Sequence, residues 1–160
     1  MTRPARRGVL SWPVKTSFVH YVRVIAAGTC EAADGAELDA DGVFQFPLAG
    51  AERGDVAWSL RFDGRARFAA HHGFLDVELR GIELTLPTDA RGGVLGVLVE
   101  GGERLAIVTT APTAPTEGNG VIRWPGLVPH LTDAGAELFG SVYPPGQELA
   151  PLDALVLLDS

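Results

Sequence analysis

The stretch that decides the fold is residues 56–86, VAWSLRFDGRARFAAHHGFLDVELRGIELTL. Large apolar side chains alternate with polar ones along most of it, and this two-residue period is typical of half-buried β-strands. The alternating apolar residues are Val56, Trp58, Leu60, Phe62, Leu75, Val77, Leu79, Ile82, Leu84 and Leu86. The pattern therefore predicts extended antiparallel strands in the middle of the chain.

Glycines divide this stretch into segments. Asp63-Gly64 lies between alternating segments and predicts a hairpin turn, with 65–70 as the return strand. Ile82, Leu84 and Leu86 continue the alternating pattern after Gly81, and a glycine inside a strand predicts a β-bulge there.

Outside this stretch the chain consists of short apolar segments separated by turn residues. The expected strands are 43–46, 94–99, 105–108, 121–124 and 155–158. Gly101-Gly102 predicts the tight turn of a second hairpin. The segments 28–42 and 109–120 have no apolar period, so we expect both to be surface loops.

One helix is expected near the start of the chain, over residues 17–27. Its apolar face is formed by residues at i, i+3, i+4 and i+7, namely Phe18, Tyr21, Val22 and Ile25. Thr16 or Ser17 can cap its first turn, and Gly28 can supply a left-handed residue at its end.

A second short helix is expected over 131–139, with Thr132 as its N-cap. Together these elements predict a mainly β fold, a β-sandwich or barrel-like arrangement of antiparallel sheets with one or two short helices. We expect an N-terminal tail over residues 1–9 and a single domain over 10–160, because 160 residues suffice for one core.

The charge distribution excludes several classes of partner. The formal net charge is -7, and the only basic cluster is at residues 3–7, so we expect no nucleic-acid surface. No apolar run is long enough for a membrane span. Ser11, Pro13 and Lys15 interrupt the apolar stretch that a secretory signal would need, so the sequence favours a cytoplasmic protein.

The sequence contains none of the usual catalytic templates, whether a nucleophile elbow, a phosphate-binding loop, a dinucleotide fingerprint or a zinc-protease helix. We therefore expect no enzyme. The adjacent pair His71-His72 is conspicuous, but neighbouring strand residues point to opposite faces and do not chelate together. On residue chemistry alone, Tyr21 is a core tyrosine and the two histidines belong to a surface turn.

Three segments change this interpretation. Residues 10–21, LSWPVKTSFVHY, resemble the opening of the HtaA-type haem-binding domain of actinobacterial haem-uptake proteins. Residues 64–79, GRARFAAHHGFLDVEL, resemble the middle of that domain, and residues 131–149, LTDAGAELFGSVYPPGQEL, resemble its closing segment. The three segments occur in the order in which the family has them.

The resemblance implies binding of haem (heme b), with Tyr21 as the axial ligand of a ferric iron. It also implies that His71 supports this tyrosine by a hydrogen bond, or His72 if the spacing slips by one residue. Further residues implied near the haem are Phe139 as a pocket wall, Ser17 and Lys15 as donors to the propionates, and Arg67 as a weaker donor. The implied role is haem transport, transfer or storage, with a haem-donor or haem-acceptor protein as partner and an oligomeric state left open. The alternative is a structural or ligand-recognition β-sandwich domain that does not bind haem.

Overall fold

In a computed structural model of the chain, the structure describes residues 7–25, 27–70, 75–89 and 91–158. These residues form a curled antiparallel sheet, a half-barrel, with two short helices, which confirms the mainly β class. The strands are β1 Arg7–Trp12, β2 Thr29–Ala33, β3 Glu37–Leu38, β4 Phe44–Arg53, β5 Ala57–Ala70, β6 Leu75–Pro87, β7 Val94–Leu98, β8 Arg104–Thr110, β9 Thr116–Gly118, β10 Val121–Leu127, β11 Pro129–Leu131 and β12 Leu152–Leu157. The helices are α1 Thr16–His20, which continues into a π-helical turn over Tyr21–Ile25, and α2 Asp133–Leu138.

The strand order is β11-β8-β7-β6-β5-β4-β1-β12-β10-β9, with β2 paired to β5 and β3 paired to β4. Strands β5 and β6 pair along nearly their whole length. The sheet curls far enough that Trp58 of β5 contacts Trp124 of β10, with their ring centroids 5.6 Å apart. The core therefore lies between the two halves of one sheet, where the alternating apolar residues meet.

The prediction of a hairpin turn at Asp63-Gly64 is wrong. Strand β5 continues through it, and the register shifts between Phe62 and Arg65, opposite Gly81 of β6. Gly64 has φ +105, so the glycine that we expected in a turn supplies its positive φ to a β-bulge instead. The bulge predicted at Gly81 is confirmed in position, and it moves the buried side chains of β6 from odd to even residue numbers.

Both segments expected as loops contain strands. Strand β2 pairs with β5, β3 pairs with β4, and β9 pairs with β10. All three are short, and none of their side chains is buried. They are held by backbone hydrogen bonds, which do not depend on side-chain type. Their sequences therefore show no apolar period.

The second hairpin is confirmed, because β7 pairs with β8 and both Gly101 and Gly102 between them have positive φ. The cap of α2 is also confirmed, since the hydroxyl of Thr132 accepts a hydrogen bond from the Gly135 amide at 3.0 Å. Strand β1 begins at Arg7, ahead of the boundary that we expected at Leu10. No helix of the described residues has the length and hydropathy of a membrane span.

Candidate functional site

The candidate site begins with the short helix that carries Tyr21. Helix α1 has Lys15 as its N-cap, and the Lys15 carbonyl accepts from the amides of Phe18 and Val19, each at 3.0 Å. The expected cap by Thr16 or Ser17 is wrong, because the helix starts at Thr16 and no side chain caps it. From Tyr21 the helix widens into a π turn, a distortion that is frequent at functional sites.

The end of this helical segment is fixed against the sheet. The left-handed residue is Ala27, with φ +50, and not Gly28 as we expected. The Gly28 amide donates to the Val22 carbonyl at 2.6 Å. A Cβ at residue 28 would stand only 2.1 Å from the Ala69 carbonyl oxygen, so glycine is required there for close approach to β5.

Aromatic rings support α1 from the core side. The ring centroid of Phe18 lies 5.1 Å from that of Phe68, 5.3 Å from that of Phe139 and 6.0 Å from that of Tyr143, all with edge-on geometry. Such contacts restrict how the helix can tilt or rotate. Tyr21, one turn beyond Phe18, is partly buried and packs against the same core.

Phe139 lies deeper than a pocket wall would. Its side chain is 1% exposed and it packs beneath Phe18, at the C-terminal end of α2. Its contact with a bound molecule stays a prediction.

Tyr143 is the aromatic residue that sequence reasoning missed. Its hydroxyl oxygen lies 3.4 Å from Ser17 Oγ, and the Lys15 ammonium lies 5.4 Å from the centroid of its ring. The fold thus brings Tyr143, from the far end of the chain, against Ser17 and Lys15 at the start of α1. Its presence in the closing segment 131–149 was the only available signal.

Exposed apolar side chains lie close in sequence to Tyr21 and to Tyr143. Ile25, four residues further along the helical segment, is 68% exposed, and its neighbour Val24 is 64% exposed. Val142, next to Tyr143, is 48% exposed. Exposed aliphatic side chains such as these are available for contact with an apolar ligand.

The residue types present here are those that a haem group needs. Haem is a flat apolar macrocycle with two carboxylates at one edge, and it needs one strong iron ligand, apolar cover and cationic or hydroxyl donors. Tyr21 is a residue that can serve as an iron ligand. Ile25 and Val142 are apolar, and Lys15 and Ser17 are a cationic and a hydroxyl donor.

Two of the expected residues lie outside the described part of the chain. His71 and His72 fall in the segment 71–74, between Ala70 of β5 and Leu75 of β6. Both flanking residues lie beside the helices. A Cβ on Gly28 would stand 2.7 Å from the Ala70 Cβ, and a Cβ on Gly140, just after α2, would stand 3.5 Å from Leu75 Cδ1.

Arg67 is already engaged by a carboxylate. Its Nε and Nη2 donate to the two Asp76 carboxylate oxygens at 3.0 and 3.1 Å. This bidentate pair holds the pKa of Arg67 above its ordinary value. The pair uses two of the five N–H donors of the guanidinium, and contact of the others with a propionate stays a prediction.

Comparisons with known proteins agree with the fold. The chain is similar to the C-terminal domain of HtaA from Corynebacterium glutamicum, with a TM-score of 0.85 and 24% identity over 98% of this chain and 99% of that one. The N-terminal domain of the same protein gives a TM-score of 0.82 at 24% identity, over 99% of this chain and 100% of that one. The haem-binding protein HtaB from the same organism gives 0.74 at 22% identity, over 97% of this chain and 94% of that one.

These identities establish the fold, and no curated protein matches the sequence. The family model for the HtaA domain (Htaa) matches residues 7–154, from the first strand to the last. The chain therefore belongs to the HtaA family.

Proposed function

We propose that this chain binds haem and holds the ferric iron through Tyr21. The observation that carries the proposal is the position of Tyr21 on a widened helical turn, beside the exposed side chains of Val24 and Ile25. The chain's family and the name of its structural relative HtaB, a haem-binding protein, support the same conclusion.

The chemistry of a phenol suits this task. Phenolate is a hard anionic donor and has precedent as a haem ligand. Bound haem would supply the ferric iron, whose charge favours the deprotonated ligand. Tyr21 would give up its hydroxyl proton on binding, so one side chain both selects the oxidised iron and makes release sensitive to acid.

The start of α1 would hold the polar edge of the macrocycle. Ser17 lies four residues before Tyr21, about one helical turn away on the same face. Its hydroxyl lies against Tyr143, and Lys15 sits over the same ring. A hydroxyl and an ammonium in this position would bind carboxylate propionates.

His71 is our candidate for the residue that supports the phenolate by donating a hydrogen bond, with His72 as its alternative. The structure describes their flanking residues Ala70 and Leu75 close to the helical segments, which supports a histidine near Tyr21. An N–H donor to the phenolate would stabilise the charged form of the tyrosine.

We propose a role in haem transport, transfer or storage rather than in catalysis, with heme b as the form bound and a donor or acceptor protein as partner. One protein ligand to the iron and an open apolar rim allow haem to enter and leave without unfolding of the sheet. Ile25 and Val142 are exposed in this structure, so the rim can be reached from solvent.

Titration of the purified chain with hemin tests the proposal. We expect a tyrosinate-type absorption spectrum for the wild type, loss of that spectrum in Tyr21→Phe, and its retention in Tyr143→Phe. The two variants remove the same atom, and Tyr143 contacts Phe18 whereas Tyr21 lies three residues after it in the chain. Unchanged hemin spectra on adding the wild type would favour a β domain without haem, and a Tyr21→Phe variant identical to wild type would remove Tyr21 as the ligand.

A further inference from the structure

A cavity lies between the helical segment and the turn that joins β3 to β4. Its volume is about 270 Å³. The residues around it are Thr16, Val19, His20, Arg23, Val24 and the turn 40–42. Neither Ser17 nor Tyr21 lines it, but Val24 does, so the cavity adjoins the candidate haem site at that side chain.

The chemistry of this cavity is that of a small amphipathic ligand. Val19 and Val24 give it an apolar lining, and Val24 is 64% exposed. Arg23 lies on the helical side and Asp41 on the turn side, and the structure shows no ion pair for either within the described residues. Opposite charges that face one cavity without pairing leave both available to a ligand.

The turn that carries Asp41 is held in place by Asp39. One carboxylate oxygen of Asp39 accepts from the amides of Asp41 and Val43 at 2.9 and 3.0 Å, and the other accepts from Gln45 Nε2 at 3.3 Å. These bonds fix the wall of the cavity before any ligand arrives, which lowers the ordering cost of binding.

From this geometry we infer that the cavity binds a small zwitterion with an apolar side chain, of the class of aliphatic α-amino acids. The ligand carboxylate pairs with Arg23 and takes a further donor from His20 or Thr16. The ligand ammonium pairs with Asp41, and the aliphatic part covers Val19 and Val24. A plain carboxylate would leave Asp41 unpaired beside it, and a plain amine would leave Arg23 unpaired.

The test is a titration of the full chain, with and without hemin, followed by a two-dimensional proton–nitrogen NMR spectrum. The probes are L-leucine, isocaproate, which lacks the ammonium, and isopentylamine, which lacks the carboxylate. We expect leucine to shift the amide signals of Arg23, Val24 and the turn 41–42, and each truncated probe to bind about tenfold more weakly.

Two variants assign the charged contacts. Arg23→Gln should remove the preference for leucine over isopentylamine, and Asp41→Asn should remove the preference for leucine over isocaproate. Arg91→Gln is the matched control, because Arg91 is exposed, pairs with Asp89 and lies outside this cavity. Absence of shifts at the cavity, equal binding of leucine and isocaproate, or insensitivity to Arg23→Gln would each overturn the inference. None of these results depends on whether Tyr21 binds haem.

Discussion

The indole of Trp12 donates a hydrogen bond to the carbonyl of Ala150 at 2.9 Å, joining residues 138 positions apart. The Ala150 amide donates in turn to the Val14 carbonyl, also at 2.9 Å. Val14 has φ +65, a conformation that valine rarely adopts. The two bonds hold the chain in this conformation immediately before Lys15, so they position the start of α1.

Replacing Trp12 should therefore lower the free energy of unfolding by more than the loss of its buried volume alone would. Trp12→Phe removes the donor to Ala150, and we expect the free energy of unfolding to fall by about 1–3 kcal/mol beyond the loss of packing. Urea denaturation gives the value. Trp124→Phe is the control, because Trp124 is equally buried and the described residues show no hydrogen bond from its indole. An equal loss in both variants would contradict a role for the bond.

Gly28→Ala should destabilise the protein, because the added Cβ would stand 2.1 Å from the Ala69 carbonyl oxygen. Overpacking against backbone costs about 1–3 kcal/mol. Gly118→Ala is the matched control, because Gly118 has no atoms within 4 Å of its Cβ position. Thermal unfolding measures both, and a Gly28→Ala variant as stable as Gly118→Ala would show that the segment can move away from β5.

Thr132→Ala should weaken the start of α2. The Thr132 hydroxyl accepts from the Gly135 amide and donates to the Ala106 carbonyl at 2.6 Å, so the substitution removes a cap and a link to β8. We expect a loss of about 1–2 kcal/mol in the free energy of unfolding. Thr132→Ser keeps the hydroxyl and should keep most of the stability. A serine variant as unstable as the alanine variant would point to the lost methyl group instead.

The exposed rim should contribute to haem affinity. Ile25→Ser removes apolar surface beside Tyr21, and we expect hemin to bind about tenfold more weakly, equivalent to about 1–1.5 kcal/mol. Val56→Ser is the control. Val56 is 75% exposed, but it lies just before the first residue of β5, at the end of the strand opposite to Ala70. Absorption titrations compare the two. Equal affinities would place the macrocycle away from Ile25.

Acid should release the turn that carries Asp41. Hydrogen bonds, chiefly from the Val43 amide, hold the pKa of Asp39 below its ordinary value. A lowered carboxyl pKa contributes stability that is present above the unfolded value of about 4 and is lost as pH falls through the lower folded value.

We therefore expect the Val43 amide signal to shift with acid at a pH below the ordinary titration of aspartate. The stability difference between wild type and Asp39→Asn should shrink over the same range. A difference that stays constant through the acid range would contradict this assignment.

Local signals in the sequence were reliable where one element alone decides the structure. The alternation of Leu75, Val77 and Leu79 predicted a strand because burial of one face is set by residue period. Thr132 predicted the start of α2 because a cap depends on atoms within three residues. The three family-like segments identified the candidate site residues without any knowledge of distances.

Tertiary structure decided the features that depend on distant parts of the chain. Asp63-Gly64 can form a turn or a bulge, and pairing with β6 selects the bulge. Gly28 was assigned a left-handed conformation, but its proximity to Ala69 is what requires glycine.

Tyr143 reached the candidate site only through folding, because its contacts with Ser17 and Lys15 span more than a hundred residues. The sequence by itself determined the mainly β class, the family and Tyr21 as the candidate iron ligand. The fold determined which side chains surround Tyr21, since such contacts depend on how the curled sheet brings its two ends together and not on any local period.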